Sequence, residues 1–243
     1  MENQNFIKSP IEKNATTEAG AITKYFLSNV FSYMSAALVI TGIVSYWFGT
    51  DIEMLKIMFK AEGGLNLFGY FIMFAPLGLV LLMSYGFQKL SSFVLVVLFI
   101  VYSILMGMSL STIFLIYTGG SIFTTFLITA GTFGVMAVLG YTTSTDLTKF
   151  GSILMMGVIG IVIASVVNLF MGSGKMELII SVLCVLIFTG LTAYDVQKLK
   201  RIGSGVEYGT EETNKLVIMG ALSLYLDFIN LFLFLLRFMG NRK

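Results

Sequence analysis

The chain has 243 residues, of which 57% are hydrophobic and 12% are charged, and its formal net charge is +2. Soluble domains carry about 25% charged residues, so this composition and a mean hydropathy of +0.92 exclude an ordinary soluble domain. We therefore expect a multispan membrane protein whose first partner is the lipid bilayer, and we expect no nucleic-acid partner.

The first 24 residues differ in composition from the rest. They carry three Lys and three Glu among Asn, Thr and Ser, a composition typical of a solvated, disordered tail. We expect residues 25–243 to form a single transmembrane domain.

The remaining chain is divided into long runs without charge. A membrane helix needs ~20 apolar residues, and one of the runs is long enough for two spans, with a turn at residues 117–121. The runs do not alternate polar and apolar residues as transmembrane strands do. The sequence therefore predicts an all-α integral membrane protein, a seven-transmembrane-helix bundle. The runs are 25–50, 63–88, 90–145, 150–174, 178–194 and 216–236, the last interrupted only by Asp227.

Lys and Arg residues in the loops predict the orientation. With the N-terminus in the cytoplasm, the outer loops hold Lys56, Lys60 and Lys175. The cytoplasmic side then holds nine cations, namely Lys8, Lys13, Lys24, Lys89, Lys149, Lys198, Lys200, Arg201 and Lys215. Three more cations follow from Arg237 onward, and they lie outside if the last segment crosses fully and inside if it turns back. The count favours a cytoplasmic N-terminus and leaves the side of the C-terminus open.

The chain contains no histidine and a single cysteine, Cys184, in the middle of the sixth span. The absence of histidine removes the usual general base and the usual pH sensor. Because no nucleophile and base can be paired and no phosphate loop is present, we expect neither an enzyme nor a cofactor. Cys184 is expected to pack.

Two acids lie inside hydrophobic segments, Asp195 and Asp227. A carboxylate near the centre of a membrane span costs ~2.5 to 3.5 kcal/mol, so such a residue faces a partner or a wet cavity. Two carboxyl groups that meet share one proton and titrate as a pair, which permits pH sensing without histidine. For Asp195 a local pairing with Lys198, three residues further on, is the competing interpretation.

Other polar residues lie close to these acids in sequence. Ser223 and Asn230 share the helix face of Asp227 at i−4 and i+3, and Tyr194 and Tyr225 lie beside the two acids. Together these oxygens would offer Ca²⁺ only a loose, partly hydrated site, which suits passage rather than storage.

Small residues at i, i+4 spacing predict close helix packing. They occur at Ser103, Gly107 and Ser111 in the third span, at Ala130 and Gly134 in the fourth, and at Gly157, Gly160 and Ala164 in the fifth.

The segments 190–200 and 220–237, together with 140–151 and 159–168, resemble the signature of the Bax inhibitor family, also called the transmembrane Bax inhibitor motif family, in its bacterial branch. The resemblance covers nearly the whole chain after residue 25. It implies seven helices with the last wrapped by the other six, and a pH-dependent calcium leak gated by an aspartyl pair. The pair falls on Asp195 and Asp227, which would meet calcium ions only transiently.

The family pattern and this chain differ at one feature. Relatives have an arginine at the cytoplasmic end of the second span that latches the pair, but this chain has no arginine before Arg201. In the equivalent stretch, residues 84–89, only Lys89 offers a basic latch. A lysine is a compact point charge without the bidentate geometry of arginine.

The resemblance also implies a multi-pass protein of the bacterial cytoplasmic (inner) membrane, with calcium ions and protons as its partners. Some bacterial relatives are partners of a membrane-anchored quality-control protease. The alternative function is therefore a protease partner whose tail, residues 1–24, is gripped. A proton-coupled transporter is less favoured because the sequence shows no inverted repeat.

Overall fold

The computed structural model describes residues 10–60, 63–207 and 209–243. Seven helical segments in this part of the chain are long and apolar enough to cross a membrane. They confirm the predicted all-α bundle, with the third span made of α4 and the short α5. In chain order the helices are α1 (Pro10–Thr50), α2 (Ile52–Lys56), α3 (Leu67–Gly86), α4 (Ser92–Leu110), α5 (Ile113–Ile116), α6 (Gly119–Thr142), α7 (Thr148–Met171), α8 (Gly174–Gly203) and α9 (Glu211–Met239).

The two ends of the bundle can be told apart by the helix termini that they hold. We call the end with the starts of α1 and α9 the inner end, and the opposite end the outer end. At the outer end the Thr118 N–H donates to the Asn241 carbonyl at 3.1 Å, and the backbones of Tyr117 and Arg242 form an isolated antiparallel β-bridge. The last helix therefore crosses the bundle fully, which answers the question that the charge count left open.

The start of α1 differs from the expected disordered tail. Residues 10–24 are helical and continuous with the first span, while residues 1–9 lie outside the described part of the chain. Proline suits the first turn of a helix, where its missing N–H would have had no partner. The Glu, Lys and Ala residues that follow Pro10 are good helix formers.

Helix α9 lies at the centre of the bundle. Of its most apolar membrane-length window 67% is buried, against 6% for that of α7. It packs mainly against α1, α4, α6 and α8, whereas α3 packs on α4 and α7 on α8. The last helix is therefore central, with four main neighbours rather than six.

At the inner end the starts of α4 and α9 are tied together. The Glu211 carboxylate accepts hydrogen bonds from the Ser92 N–H at 2.5 Å and from the Ser92 hydroxyl at 2.8 Å. The first N–H groups of a helix have no partner within the helix, so this carboxylate caps α4 from a neighbouring element.

Of the three predicted sets of closely packed small residues, the one in the third span is confirmed. Ser103, Gly107 and Ser111 of the third span are buried, and a Cβ on Gly107 would lie 2.8 Å from the Thr41 carbonyl oxygen of α1. In the fifth span a Cβ on Gly157 would lie 2.8 Å from the Ile187 side chain of α8, whereas a Cβ on Gly160 would meet nothing within 4 Å.

The predicted close packing at Ala130 and Gly134 was wrong. Both residues are exposed. The buried face of α6 is the one that carries Thr129, Phe133 and Ala137.

The close approach of α6 to α8 is at Gly140. A Cβ there would meet the backbone of Ala193, whereas a Cβ on Gly134 would meet nothing within 4 Å. Because the neighbour is backbone rather than a flexible side chain, it cannot move aside locally.

We expect Gly140→Ala to destabilise the protein by about 1 to 3 kcal/mol, the typical cost of overpacking. Gly134→Ala, the matched control on the same helix, should be neutral or slightly stabilising because alanine favours helix. Thermal unfolding of the purified protein in detergent measures both. Equal unfolding temperatures for the two variants would contradict the Gly140 contact.

Candidate functional site

The carboxyl groups of Asp195 and Asp227 meet at the interface of α8 and α9. Asp227 is 6% exposed and lies within hydrogen-bonding reach of the partly buried Asp195. The Ser223 hydroxyl donates to Asp195 Oδ2 at 2.6 Å. The two acids that the membrane cost singled out are therefore neighbours, and the Ser223 hydroxyl contacts one of them, Asp195.

One oxygen of this pair has no donor. Asp227 Oδ2 is buried and accepts no hydrogen bond from the described residues. Leaving a buried acceptor without a partner costs about 1 to 3 kcal/mol. A proton shared between two adjacent carboxyl groups would remove one negative charge and would supply the missing donor.

An inner cavity of about 330 Å³ reaches the pair from the inner end. Its walls come from α3, α8 and α9, and its polar lining consists of Ser84, Asp195, Lys198 and Ser223. Lys198 lines this cavity together with Asp195, three residues before it on α8. The sequence considered Lys198 only as a local partner of Asp195, three residues away, and its place on the cavity wall depends on how α8 faces α3.

Lys89, the residue considered as a basic latch, lies elsewhere. It is exposed in the turn between α3 and α4, and it is not among the residues that line the inner cavity. Ser84 is the polar residue that the end of α3 contributes there. The cation beside the acid pair in this structure is Lys198.

An outer cavity of about 660 Å³ enters the same interface from the opposite end, between α7, α8 and α9. At its mouth Arg237 Nε lies 3.3 Å from Glu177 Oε1, and Arg242 Nη2 lies 3.8 Å from the same oxygen. Further in it is lined by Asn230 and by Cys184, whose side chain is fully buried.

The two cavities lie on one face of both helices. On α9 the polar residues Ser223, Asp227, Asn230 and Arg237 recur at helical spacing on one side. The inner cavity includes Ser223 and the outer cavity begins at Asn230, so Asp227 lies in the turn between them. The acid pair therefore separates two cavities that approach each other along a single seam between α8 and α9.

The two tyrosines named as supporting residues have other roles. The Tyr225 hydroxyl is hydrogen-bonded to Thr41 Oγ1 at 2.7 Å, and its ring packs edge-on against Tyr102 with centroids 5.4 Å apart. It faces α1 and α4, away from the seam. Tyr194 packs its ring against Gly151 of α7.

The site offers few ligands for a resident metal ion. Within the described ranges no group of three or more His, Cys, Asp or Glu side chains is placed to hold one. Ca²⁺ takes six to eight oxygen ligands, and the seam offers two carboxyl groups and the Ser223 hydroxyl. This donor set fits an ion that keeps most of its water.

The sequence is similar to a known protein family and to proteins of several bacteria. A family model described as "Inhibitor of apoptosis-promoting Bax1" matches residues 23–243. An uncharacterized protein of Borreliella burgdorferi is 47% identical over 91% of this chain and 94% of its own length. The inner membrane protein YbhL of Escherichia coli is 43% identical over 90% of this chain and 92% of its own length. An uncharacterized protein of Rickettsia prowazekii is 44% identical over 95% of this chain and 94% of its own length.

We expect Asp227→Leu to be at least as stable as the parent protein. The substitution removes a buried acceptor without a donor, which costs about 1 to 3 kcal/mol, while Asp195 keeps the hydrogen bond from the Ser223 hydroxyl. Thermal unfolding in detergent is the measurement, with Leu224→Asp, an acid placed at a fully buried position of the same helix, as the destabilised control. A marked loss of stability in Asp227→Leu would show that this carboxyl is a structural requirement of the fold.

Proposed function

The chain belongs to the Bax inhibitor family, and on that basis we propose that it is a pH-sensitive calcium-leak channel of the bacterial inner membrane, with the inner end of the bundle in the cytoplasm. The observation that supports this proposal is the seam between α8 and α9. Two cavities enter it from opposite ends, with Asp195 on the wall of the inner one and its neighbour Asp227 between the two.

Gating follows from the number of protons on the pair. With one shared proton the two carboxyl groups bind each other and hold α8 against α9. Loss or gain of that proton changes the net charge at the turn between the cavities, and in a site of low dielectric such a change is a strong perturbation. The contact between the two carboxyl groups then changes, and with it the packing of α8 against α9. This change joins the two cavities or separates them.

Calcium passes this seam as cargo. The carboxylate and hydroxyl oxygens of the seam replace part of its hydration shell, which suits conduction because weak binding lets the ion leave. At the outer mouth Glu177 is neutralised by Arg237 and Arg242, so this mouth does not attract cations while those contacts persist. The described structure is accordingly assigned to a closed state.

The alternative function, partnership with a membrane protease, differs from the channel in that it requires a second protein. Ion flux into liposomes that hold this protein alone needs no partner, whereas a protease-modulating role needs the protease. No residue of 10–24, the described part of the tail that a protease would grip, lines either cavity of the seam, so the seam supports the channel proposal rather than the protease partnership.

We expect Asp227→Asn to abolish the pH dependence of calcium flux into liposomes between about pH 5 and pH 8, because the pair can no longer exchange its shared proton. Adding Asp195→Asn should then change little further, since residues that act through one proton are not additive. Glu212→Gln, at an exposed acid at the inner end, is the control and should keep the parent's pH profile. Independent, additive effects of the two seam substitutions would separate the acids and contradict a shared proton.

We expect Lys198→Ala to move the midpoint of the flux profile upward by about one pH unit, because a nearby cation favours the ionised form of a carboxyl group. Lys198→Arg should keep the parent's midpoint. The matched control is Lys89→Ala, which removes an equal charge from the same end of the bundle but from outside the inner cavity.

The flux curve of Lys89→Ala should overlay the parent's. If Lys89→Ala shifts the midpoint and Lys198→Ala does not, the basic latch is at the end of α3, and the assignment of Lys198 is overturned.

A further inference from the structure

A basic pocket lies at the inner end of the bundle, on the side of α8 away from the acid seam. It has a volume of about 520 Å³ and is lined by residues of α1, α6, α8 and the loop from α6 to α7. Three cations line it, Lys24, Lys200 and Arg201, against one acid, Asp146. The pocket is therefore suited to an anion.

The walls of this basic pocket are held in place by hydrogen bonds. The Gln197 side chain, 7% exposed, accepts from the Leu147 N–H and donates to the Thr145 carbonyl, each at 2.8 Å. Lys200 Nζ donates to the Tyr141 carbonyl at 2.8 Å and lies 4.9 Å from the centre of the Tyr141 ring. The loop from α6 to α7 is thus fastened to α8, and the cation of Lys200 is positioned rather than free.

The acid in the basic pocket is already engaged. Asp146 Oδ1 accepts hydrogen bonds from Thr148 Oγ1 at 2.6 Å and from Arg201 Nη1 at 3.1 Å. These hydrogen bonds from Thr148, together with the charge of Arg201, lower the pKa of Asp146 below its usual value. Asp146 therefore stays ionised and offsets one cation, which leaves two positive charges in excess.

An apolar crevice of about 300 Å³ continues from the basic pocket along the membrane-facing surface between α1 and α6. Its walls include Leu27, Phe31 and Val138. It shares two residues with the basic pocket, Lys24 and Tyr141. A cationic pocket at the end of the spans thus adjoins an apolar crevice between two membrane-length helices.

We propose that this composite site, the basic pocket with its apolar crevice, binds an anionic glycerophospholipid of the cytoplasmic leaflet, with the headgroup phosphate among Lys24, Lys200 and Arg201 and an acyl chain in the crevice. Basic pockets between transmembrane helices on the cytoplasmic side recognise anionic headgroups. A soluble phosphate would use the cations but not the crevice, and a neutral lipid would use the crevice but not the excess positive charge. A molecule with both parts matches both halves of the site.

The test uses the full-length protein in neutral detergent, with dioleoylphosphatidylglycerol, dioleoylphosphatidylcholine or inorganic phosphate added in separate titrations. We expect phosphatidylglycerol to raise the thermal unfolding temperature saturably and the other two to have little effect. Phosphate alone reproducing the shift would identify a soluble anion as the occupant and overturn the lipid assignment. Equal shifts with phosphatidylcholine would show that the site does not distinguish the headgroup charge, and would overturn the proposal of an anionic lipid.

Variants locate the site. Lys24→Gln with Lys200→Gln should weaken the apparent affinity for phosphatidylglycerol roughly fivefold for each lysine removed. The matched control is Lys89→Gln with Lys149→Gln, which removes the same charge from exposed positions at the inner end outside the basic pocket. Equal losses in the two double variants would mean that general surface charge attracts the lipid, and would overturn the site.

Two further variants keep this result independent of folding and of conduction. Lys24→Gln alone changes an exposed side chain and should show the single fivefold loss even if the Lys200 variant does not fold. Ser28→Phe, at an exposed position of the crevice wall, should weaken phosphatidylglycerol binding with all cations in place, and unchanged binding would remove the acyl chain from the crevice. None of these measurements uses ion flux, so their failure is distinguishable from failure of the channel proposal.

Discussion

The burial of the Asp227 carboxyl in the central helix is the constraint on which the rest of the arrangement depends. A carboxyl group at membrane depth must face a partner or water, and α9 is enclosed mainly by α1, α4, α6 and α8. Of these neighbours α8 supplies the partner, Asp195, which the Ser223 hydroxyl holds from α9 itself. The pair and its serine thus join α8 to α9 at one depth, and polar groups follow the same face of α9 toward both ends of the bundle.

The opposite side of α9 is packed differently. There Tyr225 is hydrogen-bonded to Thr41, whose hydroxyl also lies 2.9 Å from the Ser103 carbonyl, and the rings of Phe99, Tyr102 and Tyr225 pack against one another. This side is buried, aromatic and hydrogen-bonded, so α9 forms one unit with α1 and α4. The cavities lie on the other side, where α3 closes the inner one and α7 the outer one. Any opening along the seam therefore concerns α8 and these two peripheral helices more than α9.

Features that belong to a single helix could be predicted from the sequence. Features that depend on how two helices face each other could not. The seven spans follow from hydropathy, and the two acids follow from membrane cost, since both are properties of single segments. The helical period of 100° per residue also places Tyr225, two residues before Asp227, on another face, so its distance from the seam was predictable. The choice of Lys198 over Lys89, and of Gly140 over Gly134, depends on which face of one helix meets its neighbour. Small residues and cations occur on both contacting and lipid-facing surfaces, so their spacing alone does not decide it.

Helix α8 is the element in which the channel proposal and the lipid proposal meet. It is one continuous helix of 30 residues that carries Glu177 at the outer mouth, Asp195 at the seam and Lys200 in the basic pocket. Its position against α6 is set by the backbone contact between Gly140 and Ala193 and by the hydrogen bonds of Gln197 to the following loop. A displacement of α8 from α9 must therefore carry the end of α6 with it or break these contacts. A phospholipid that binds α1, α6 and α8 together at the inner end would oppose that displacement, and the lipid composition of the cytoplasmic leaflet would then act on the same seam as the proton.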